Sequence, residues 1–319
     1  ATNPLSVAPN DPTHLGAKNG GAILSYDARI KLDPLSSAFV RPYLSFRSMS
    51  QFNARDWGFS FIDLNANLGL ILDIENLRFT ASYHPLALYL LGTDIYDKGP
   101  LSYYMGHRIE LDFEVFENYY FFAAYGTRKF RQKLRSRQEL DLGFGAFHPI
   151  INNFSIIWGL SYKNWLSYSL RYYNLHGFNA SLYGDYRFKF DLRLRLGASY
   201  NFDDYPNSEK YFDDNNKRRD HLLRGTLQIW SPAWHKLRIG LDLKAARRWS
   251  SAKAYAYEDY RAQVILRWEG DLDFYGSKKI KDDIFSLPWA HERTHDADRI
   301  RDIMKQDEDM QGSSSCINR

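Results

Sequence analysis

The chain has 319 residues, of which 42 are Lys or Arg and 38 are Asp or Glu, giving a net charge of +4. Because this small positive excess is spread along the chain, it gives little support to nucleic-acid binding. The mean hydropathy is −0.51, and the best apolar run, 86–91, is far shorter than the roughly 20 residues of a membrane helix. The single cysteine, Cys316, excludes an intrachain disulfide framework and a cysteine-based metal site.

The N-terminal part of the chain changes character near Ala22. Residues 1–19 are rich in Asn, Pro, Thr and Gly and show no periodic pattern, which predicts a flexible leader or plug segment. From Leu24 to Leu32, apolar residues alternate with Ser25, Asp27, Arg29 and Lys31. A period of two with ionic residues on one side predicts a β-strand with one apolar and one charged face.

The same alternation recurs along most of the chain and predicts about 14 strands in all. Short connections such as 73–76 and 117–118 predict hairpins in series. Because ordinary closed bacterial barrels have an even strand number, 12 or 14 strands are expected. The further predicted strands lie at 40–47, 62–70, 78–84, 108–115, 120–124, 139–146, 154–163, 166–173, 178–188, 192–200, 223–229, 237–245 and 262–268.

Two segments depart from the pattern. Residues 203–220 are crowded with Asp, Asn, Lys and Arg, which predicts a solvent-exposed loop. After Tyr275 the alternation stops, and residues 276–319 form a polar tail with helix-compatible residues at about 290–310. The predicted organisation is therefore a leader at 1–19, a barrel at 20–275 and a tail at 276–319.

A soluble β-sandwich would also show alternation, because it buries its apolar faces and exposes its polar faces to water. Three features favour a membrane barrel: charges continue through the strand centres, the strands number more than a dozen, and Tyr and Trp crowd the strand ends. Such aromatic residues are typical of interfacial girdles. The residues assigned to the girdles are Trp57, Tyr103, Tyr104, Tyr119, Tyr120, Trp165, Tyr172, Tyr173, Trp230, Trp234 and Trp249.

In this pattern the chain resembles the bacterial outer-membrane β-barrel class over residues 22–275. The resemblance implies an all-β, antiparallel transmembrane barrel of about 12–14 strands in the bacterial outer membrane, in contact with outer-membrane lipid and lipopolysaccharide. Members of the class usually end on a strand with a terminal aromatic residue, whereas this chain continues past Trp268 and Phe274 to Arg319. A plug, a docking helix for a periplasmic partner protein and a metal site are the alternatives for this tail.

The polar side of the predicted strands is assigned to the lumen and contains 17 basic and nine acidic residues. Acidic residues gather around Glu110 and Asp141, while a basic wall runs from Arg187 to Lys244 on later strands, across the lumen. The predicted pore-lining residues are Arg29, Arg41, Arg78, Arg108, Glu110, Asp112, Glu114, Glu139, Asp141, Arg187, Arg193, Arg195, Arg224, Arg238 and Lys244.

Charged rings in a wet pore select ions by sign, so the basic excess predicts a channel for small anionic or saccharide solutes without a bound cofactor. One alternative is a filled barrel in which these charges pair as a non-conducting polar plug. Another is a secretion barrel that works with periplasmic partners and resembles exopolysaccharide secretion proteins. Those proteins carry helical repeats ahead of the barrel, and this sequence has none.

The sequence leaves two enzyme alternatives open, and neither assigns a catalytic residue. The run from His291 to His295 reads His-Glu-Arg-Thr-His and resembles the zincin motif, in which two His bind Zn²⁺ and Glu activates water. Because no third ligand follows at the family's spacing, His291 and His295 are only candidate metal ligands. A lipid hydrolase would need a Ser and a His at the barrel rim; His84 and His107 fall nearest the luminal phase, and His148 faces outward beside Pro149.

Overall fold

The computed structural model describes the greater part of the predicted barrel. The described residues are 23–32, 39–53, 61–90, 101–116, 118–130, 136–151, 153–169, 171–207, 217–232, 234–235, 237–252 and 255–268. They form one antiparallel sheet of 13 strands in which every strand pairs with its neighbours in the sequence. The predicted leader and tail, with His291 and His295, lie outside the described residues.

The strands are long enough to cross a bilayer, since a tilted transmembrane strand needs about 9–11 residues. A short 3-10 helix, Arg171–Tyr173, separates β8 from β9. The strands are β1 Ile23–Leu32, β2 Val40–Asn53, β3 Phe61–Ile74, β4 Leu77–Leu90, β5 Leu101–Val115, β6 Tyr119–Phe130, β7 Arg137–Ile151, β8 Phe154–Ser167, β9 Leu175–Arg187, β10 Arg193–Tyr205, β11 Arg218–Trp230, β12 Leu237–Ser250 and β13 Tyr257–Trp268.

The strand predicted at 166–173 is wrong. Strand β8 continues without interruption to Ser167, and the chain then turns through the 3-10 helix. The Ser167 backbone N–H donates to the side-chain oxygen of Asn174 at 2.9 Å, which holds the two sides of this turn together. One predicted strand therefore disappears, and the described sheet has 13 strands.

The loop predicted at 203–220 is shorter than expected. Asp203 and Asp220 face each other in the β10–β11 ladder, so only 206–217 connects the two strands. Asp203, Arg218 and Asp220 lie on the polar face of the sheet, and Asp204 and Arg219 lie on the opposite face. A high density of charge indicated solvent exposure, but in this sheet the polar face carries charges along the whole strand.

The two ends of the sheet differ in their connections. Tight turns join β3 to β4, β5 to β6, β7 to β8 and β9 to β10 at one end, which we call the short-turn end. The other end, the long-loop end, includes the connections 54–60, 91–100 and 206–217. The non-glycine residues with positive φ in the described chain, Glu75, Phe116, Asp191 and His235, all lie at the short-turn end. Their left-handed backbone is what tight turns require.

The odd strand number gives β1 and β13 the same direction, from the long-loop end to the short-turn end. Among the described residues, no ladder joins β1 to β13. The described part of the chain also contains no helix long and apolar enough to cross a membrane.

The two faces of the sheet have inverted polarity. On β5 the charged residues Arg108, Glu110 and Glu114 are buried, whereas the apolar residues between them are exposed: Ile109 is 54% exposed and Arg108 only 3%. A soluble sheet would bury the apolar face instead, because apolar surface is expelled from water. The charged face is therefore the inner face, and the apolar face is the outer face.

Candidate functional site

The inner face on β5, β6 and β7 contains a buried network of ion pairs. Arg108 donates from Nε to Glu110 at 3.0 Å and from Nη1 to Asp141 at 2.6 Å. Glu139 lies between two guanidinium groups, with Arg128 Nε at 3.0 Å and Arg137 Nε at 2.7 Å. Buried charges are tolerated when they are paired and hydrogen-bonded in this way.

Aromatic rings support the guanidinium groups near the long-loop end. Arg137 lies 3.8 Å above the Trp165 ring, and Arg218 lies 3.4 Å from the centre of the Tyr255 ring and 4.2 Å from that of Tyr205. Arg218 also pairs with Asp220 at 2.5 Å. Such stacking leaves the edge of a guanidinium group available for hydrogen bonds while its face is covered.

One inner ion pair spans a neighbouring strand. Lys163 on β8 and Asp203 on β10 both lie opposite Gly177 of β9, and Nζ of Lys163 approaches Oδ1 of Asp203 to 2.7 Å. A Cβ atom at Gly177 would lie 2.2 Å from Cε of Lys163 and 2.6 Å from Oδ1 of Asp203. The missing side chain at 177 is therefore what leaves room for this pair.

At the short-turn end, arginines of the inner face gather around two aspartates. Asp73 binds both Arg41 and Arg78, and Arg78 also contacts Glu114 at 3.4 Å. This cluster is balanced, with two basic and two acidic residues. It joins the inner faces of β2, β3, β4 and β5.

The second aspartate, Asp191, lies in the turn between β9 and β10 and has three basic neighbours. Its Oδ1 is 2.8 Å from Arg187 Nε and 3.9 Å from Arg193 Nε, and Arg238 Nη2 of β12 donates to Oδ2 at 2.8 Å. Burial acts to raise the pKa of the Asp191 carboxyl, but the Arg238 hydrogen bond and the charges of the three arginines outweigh it and lower the pKa. We call these four residues the Asp191 cluster.

The inner charges differ in their access to water. The carboxylates of Asp63, Glu139, Asp220, Asp242 and Asp259 are almost fully buried. In contrast, the side chains of Arg187, Arg193 and Lys244 are 59%, 42% and 42% exposed. Much of the negative charge is therefore covered, and the inner charges most open to water are cationic.

The outer face carries a ring of exposed tyrosines toward the long-loop end. Three of these tyrosines form a hydrogen bond with a histidine on the next strand. In each case the histidine is not the residue directly opposite the tyrosine, but lies two residues from it toward the long-loop end. The hydroxyl-to-Nδ1 distance is 3.2 Å for Tyr162 and His176 and 2.6 Å for Tyr200 and His221, and Tyr83 bonds to His107 in the same way. The ring consists of Tyr26, Tyr83, Tyr125, Tyr162, Tyr200 and Tyr260.

Charged residues on the outer face of the described strands lie only beyond this ring, at the long-loop end. Four of these five residues form two ion pairs, Arg219 with Asp204 at 3.1 Å and Arg247 with Glu258 at 3.2 Å. The fifth residue is Lys129. Toward the short-turn end the outer face carries aromatic contacts instead, including Phe144 edge-on to Trp158 at 5.1 Å and Tyr119 edge-on to His148 at 5.8 Å.

An apolar belt thus lies between two aromatic girdles. On β8 the outer face runs from Phe154 to Tyr162, which spans about 20 Å for eight residues of about 3.3 Å each at a tilt of about 40°. The apolar band of a membrane barrel is roughly 25 Å tall. The inverted polarity, the belt and the girdles define the chain as a protein of the outer-membrane β-barrel class.

Neither the protein-family models nor the curated proteins include a match to this chain. Among solved structures, it is similar to OccAB3 of Acinetobacter baumannii, with 8% identity and a TM-score of 0.40 over 76% of this chain and 91% of that one. It is also similar to a bacterial polysaccharide outer membrane secretin, with 12% identity and a TM-score of 0.40 over 76% and 89%.

Fourteen of the 15 residues predicted to line a pore occupy inner positions of the strand register, and the backbone of the fifteenth, Arg29, pairs with that of Arg47. The structure brings Arg108, Glu110 and Asp141 together in one network and places Arg187, Arg193 and Arg238 around Asp191. Asp191 was missed because it lies in a turn, outside the alternating pattern. Other missed inner residues are Arg128, Arg137, Arg218 and Arg248, although alternation within their own strands could have identified them.

Part of the predicted girdle is wrong. Tyr104, Tyr120, Trp165 and Tyr173 are buried, and Tyr104, Tyr120, Trp165 and Trp230 occupy inner positions of the register. Tyr119, Trp234 and Trp249 are exposed. Neighbouring residues of a strand point to opposite faces, so a Tyr-Tyr pair cannot contribute both rings to one girdle. Trp57 lies outside the described residues.

The histidine and metal predictions have mixed outcomes. His84 is buried on the inner face and bonds to Ser82 at 2.8 Å, as its phase predicted, and His148 faces outward. The luminal placement of His107 is wrong, because Arg108 beside it faces inward. Within the described ranges, no group of three His, Cys, Asp or Glu residues could hold a metal ion.

Proposed function

We propose that the protein is an outer-membrane channel that favours anionic or saccharide solutes. The observation that carries the proposal is the difference in exposure between the described inner charges: the carboxylates are buried or, as in Asp73, at most 33% exposed, whereas Arg187, Arg193 and Lys244 are 59%, 42% and 42% exposed. A permeating ion interacts most strongly with accessible charges, so a path lined by these residues raises the local concentration of anions.

The path we propose follows the inner side of β9 to β13. The ion pairs of β5 to β7 are packed and buried, which fits a filled polar wall. The exposed cations lie on β9, β10 and β12. In this proposal the acidic strands support the barrel, and the basic strands line the route of the solute.

The difference between the two ends supports an orientation for the proposed channel. Bacterial outer-membrane barrels have short periplasmic turns and longer extracellular loops. We therefore place the short-turn end, with Arg187 and Arg193, on the periplasmic side. An anionic polysaccharide would use the same cationic route, so the secretion alternative makes the same prediction for ion selectivity and differs in requiring a partner for export.

The test is the reversal potential of the refolded full chain in a planar bilayer under a salt gradient. We expect stepwise openings with an anion-selective reversal potential. The double variant Arg187→Gln/Arg193→Gln should move the reversal potential toward the cation-selective side. The control is Arg219→Gln/Arg247→Gln, which removes two outer-face arginines of similar exposure, 61% and 58%, and should leave the reversal potential unchanged.

Cation preference in the unchanged protein would contradict the proposal. An equal shift in the control variant would also contradict it, because the selectivity would then depend on net charge and not on the inner face. A correctly folded protein that shows no channel openings would instead support the filled, non-conducting barrel.

A further inference from the structure

The Asp191 cluster contains more positive charge than its single carboxylate can neutralise. Arg187, Arg193 and Arg238 all approach Asp191 to within 3.9 Å or less. Three guanidinium groups against one carboxylate leave a local charge of about +2, since arginine stays protonated at every ordinary pH. The cluster therefore attracts a further anion or an anion of higher charge.

The cluster also retains unused hydrogen-bonding capacity. Each guanidinium group has five N–H donors, and the contact of Arg187 with Asp191 uses only its Nε. Arg193 Nε lies 3.9 Å from Oδ1, too far for a hydrogen bond, so Arg193 contributes charge without bonding to Asp191. Both side chains are well exposed, and their remaining donors can reach a ligand from solution.

The protein holds Asp191 firmly in this position. Asp191 has a φ of 62°, its backbone N–H donates to the Phe188 carbonyl at 3.0 Å, and the Phe188 N–H donates to the Leu192 carbonyl at 2.9 Å. Arg238 is fixed from the other side by a 3.0 Å bond from Nη1 to the carbonyl of Ser231. The carboxylate is thus presented to the three arginines by a tight turn and not by a loose side-chain encounter.

We propose that Arg187, Arg193 and Arg238 form a binding site for a phosphate-type oxyanion at the short-turn mouth, and that Asp191 is an internal anion competing for it. A phosphate dianion offers more acceptor oxygens and one more negative charge than the carboxylate, and arginine binds it in a bidentate manner. This inference extends the proposed anion channel by naming a site and a ligand class. The site faces the inside of the sheet, so the ligand is a soluble phosphate and not a lipid headgroup of the surrounding membrane.

The test is the binding of inorganic phosphate to the purified full chain in detergent, measured by calorimetry. The variant Asp191→Asn keeps the shape of the side chain and removes the competing charge. We expect it to bind phosphate about tenfold more tightly than the unchanged protein, because one repulsive charge within about 4 Å is lost in a partly screened environment. The variant Arg187→Gln/Arg193→Gln should lose the binding.

The control is Asp204→Asn. Asp204 is 28% exposed, as is Asp191, and it pairs with Arg219 on the outer face. Equal phosphate affinity in Asp191→Asn and Asp204→Asn would overturn the proposal, as would phosphate binding that survives loss of both exposed arginines. Calorimetry in detergent measures binding without requiring ion conduction. A protein that binds phosphate but does not conduct would therefore refute only the proposed function. An anion-selective channel that does not bind phosphate would refute only the proposed site.

Discussion

At the scale of single residues, Gly177 shows how one missing side chain organises the inner face. Nζ of Lys163 and Oδ1 of Asp203 meet at 2.7 Å over the backbone of β9, and a Cβ at 177 would clash with Cε of Lys163 and Oδ1 of Asp203. The ion pair links β8 to β10, two strands that share no ladder. This cross-strand pair depends on glycine for space and not for backbone flexibility.

Replacing Gly177 by Ala should therefore lower the free energy of unfolding. The new methyl group would displace the Lys163–Asp203 pair, and we expect a loss of about 1–3 kcal/mol, as for other overpacked sites. The measurement is urea unfolding of the protein refolded into lipid vesicles. Gly225→Ala is the control, since a Cβ there meets no atom within 4 Å; equal losses in both variants would mean that the ion pair contributes nothing.

Asp191 predicts a pH dependence of stability. Its folded pKa lies below the ordinary value of 3.8, so the folded state favours the ionised carboxylate. The contribution of the ionised carboxylate to the free energy of unfolding is complete above the pKa of Asp191 in the unfolded chain. It is lost as the pH falls through the pKa in the folded protein. The difference in unfolding free energy between the unchanged protein and Asp191→Asn should be constant from pH 7 to pH 5 and shrink below about pH 4. A difference that grows on acidification would contradict the assigned pairing.

At the scale of the strand, the inverted faces distinguish a membrane sheet from a soluble one. Leu182 lies on the outer face of β9, within the apolar belt, and it is exposed in the isolated chain. Leu166 is also exposed but lies at the long-loop end of β8, beyond Tyr162. The two positions have the same residue type and differ in their expected depth in the bilayer.

We therefore expect Leu182→Arg to cost about 2–4 kcal/mol of unfolding free energy in lipid vesicles and Leu166→Arg only about 0–1 kcal/mol. An arginine in the apolar belt loses its hydration, whereas one at the rim reaches the headgroups or water. Unfolding in urea from vesicles measures both. Near-neutral effects at both positions would indicate a water-exposed face and would refute the membrane assignment.

Alternation in the sequence predicted almost every strand, and the described charged residues that it assigned to the polar side of a strand lie at inner positions of the register. Arg108, for example, was placed inward by its neighbours Ile109 and Leu111 alone. Alternation could not identify the contact between Asp191 and Arg238, because 47 residues separate them and the contact depends on the shape of a turn. It also failed at 166–173, where the end of a long strand and a short 3-10 helix together resembled a separate strand.

At the scale of the whole molecule, the inner face is divided into two regions that differ in the exposure of their charges. The strands β5 to β7 neutralise their charges within buried pairs, while β9 to β13 leave several cations open to water. A sequence count of 17 basic against nine acidic residues gave the sign of the excess. It could not reveal which charges are covered, since burial depends on how the barrel brings distant strands together.

The shared direction of β1 and β13 has a consequence for the path of the polypeptide through the membrane. The described chain enters the sheet at the long-loop end with Ile23 and leaves it at the short-turn end with Trp268, so its first and last residues lie on opposite sides of the bilayer. In the proposed orientation, the first strand therefore starts at the cell exterior and the last strand ends at the periplasm.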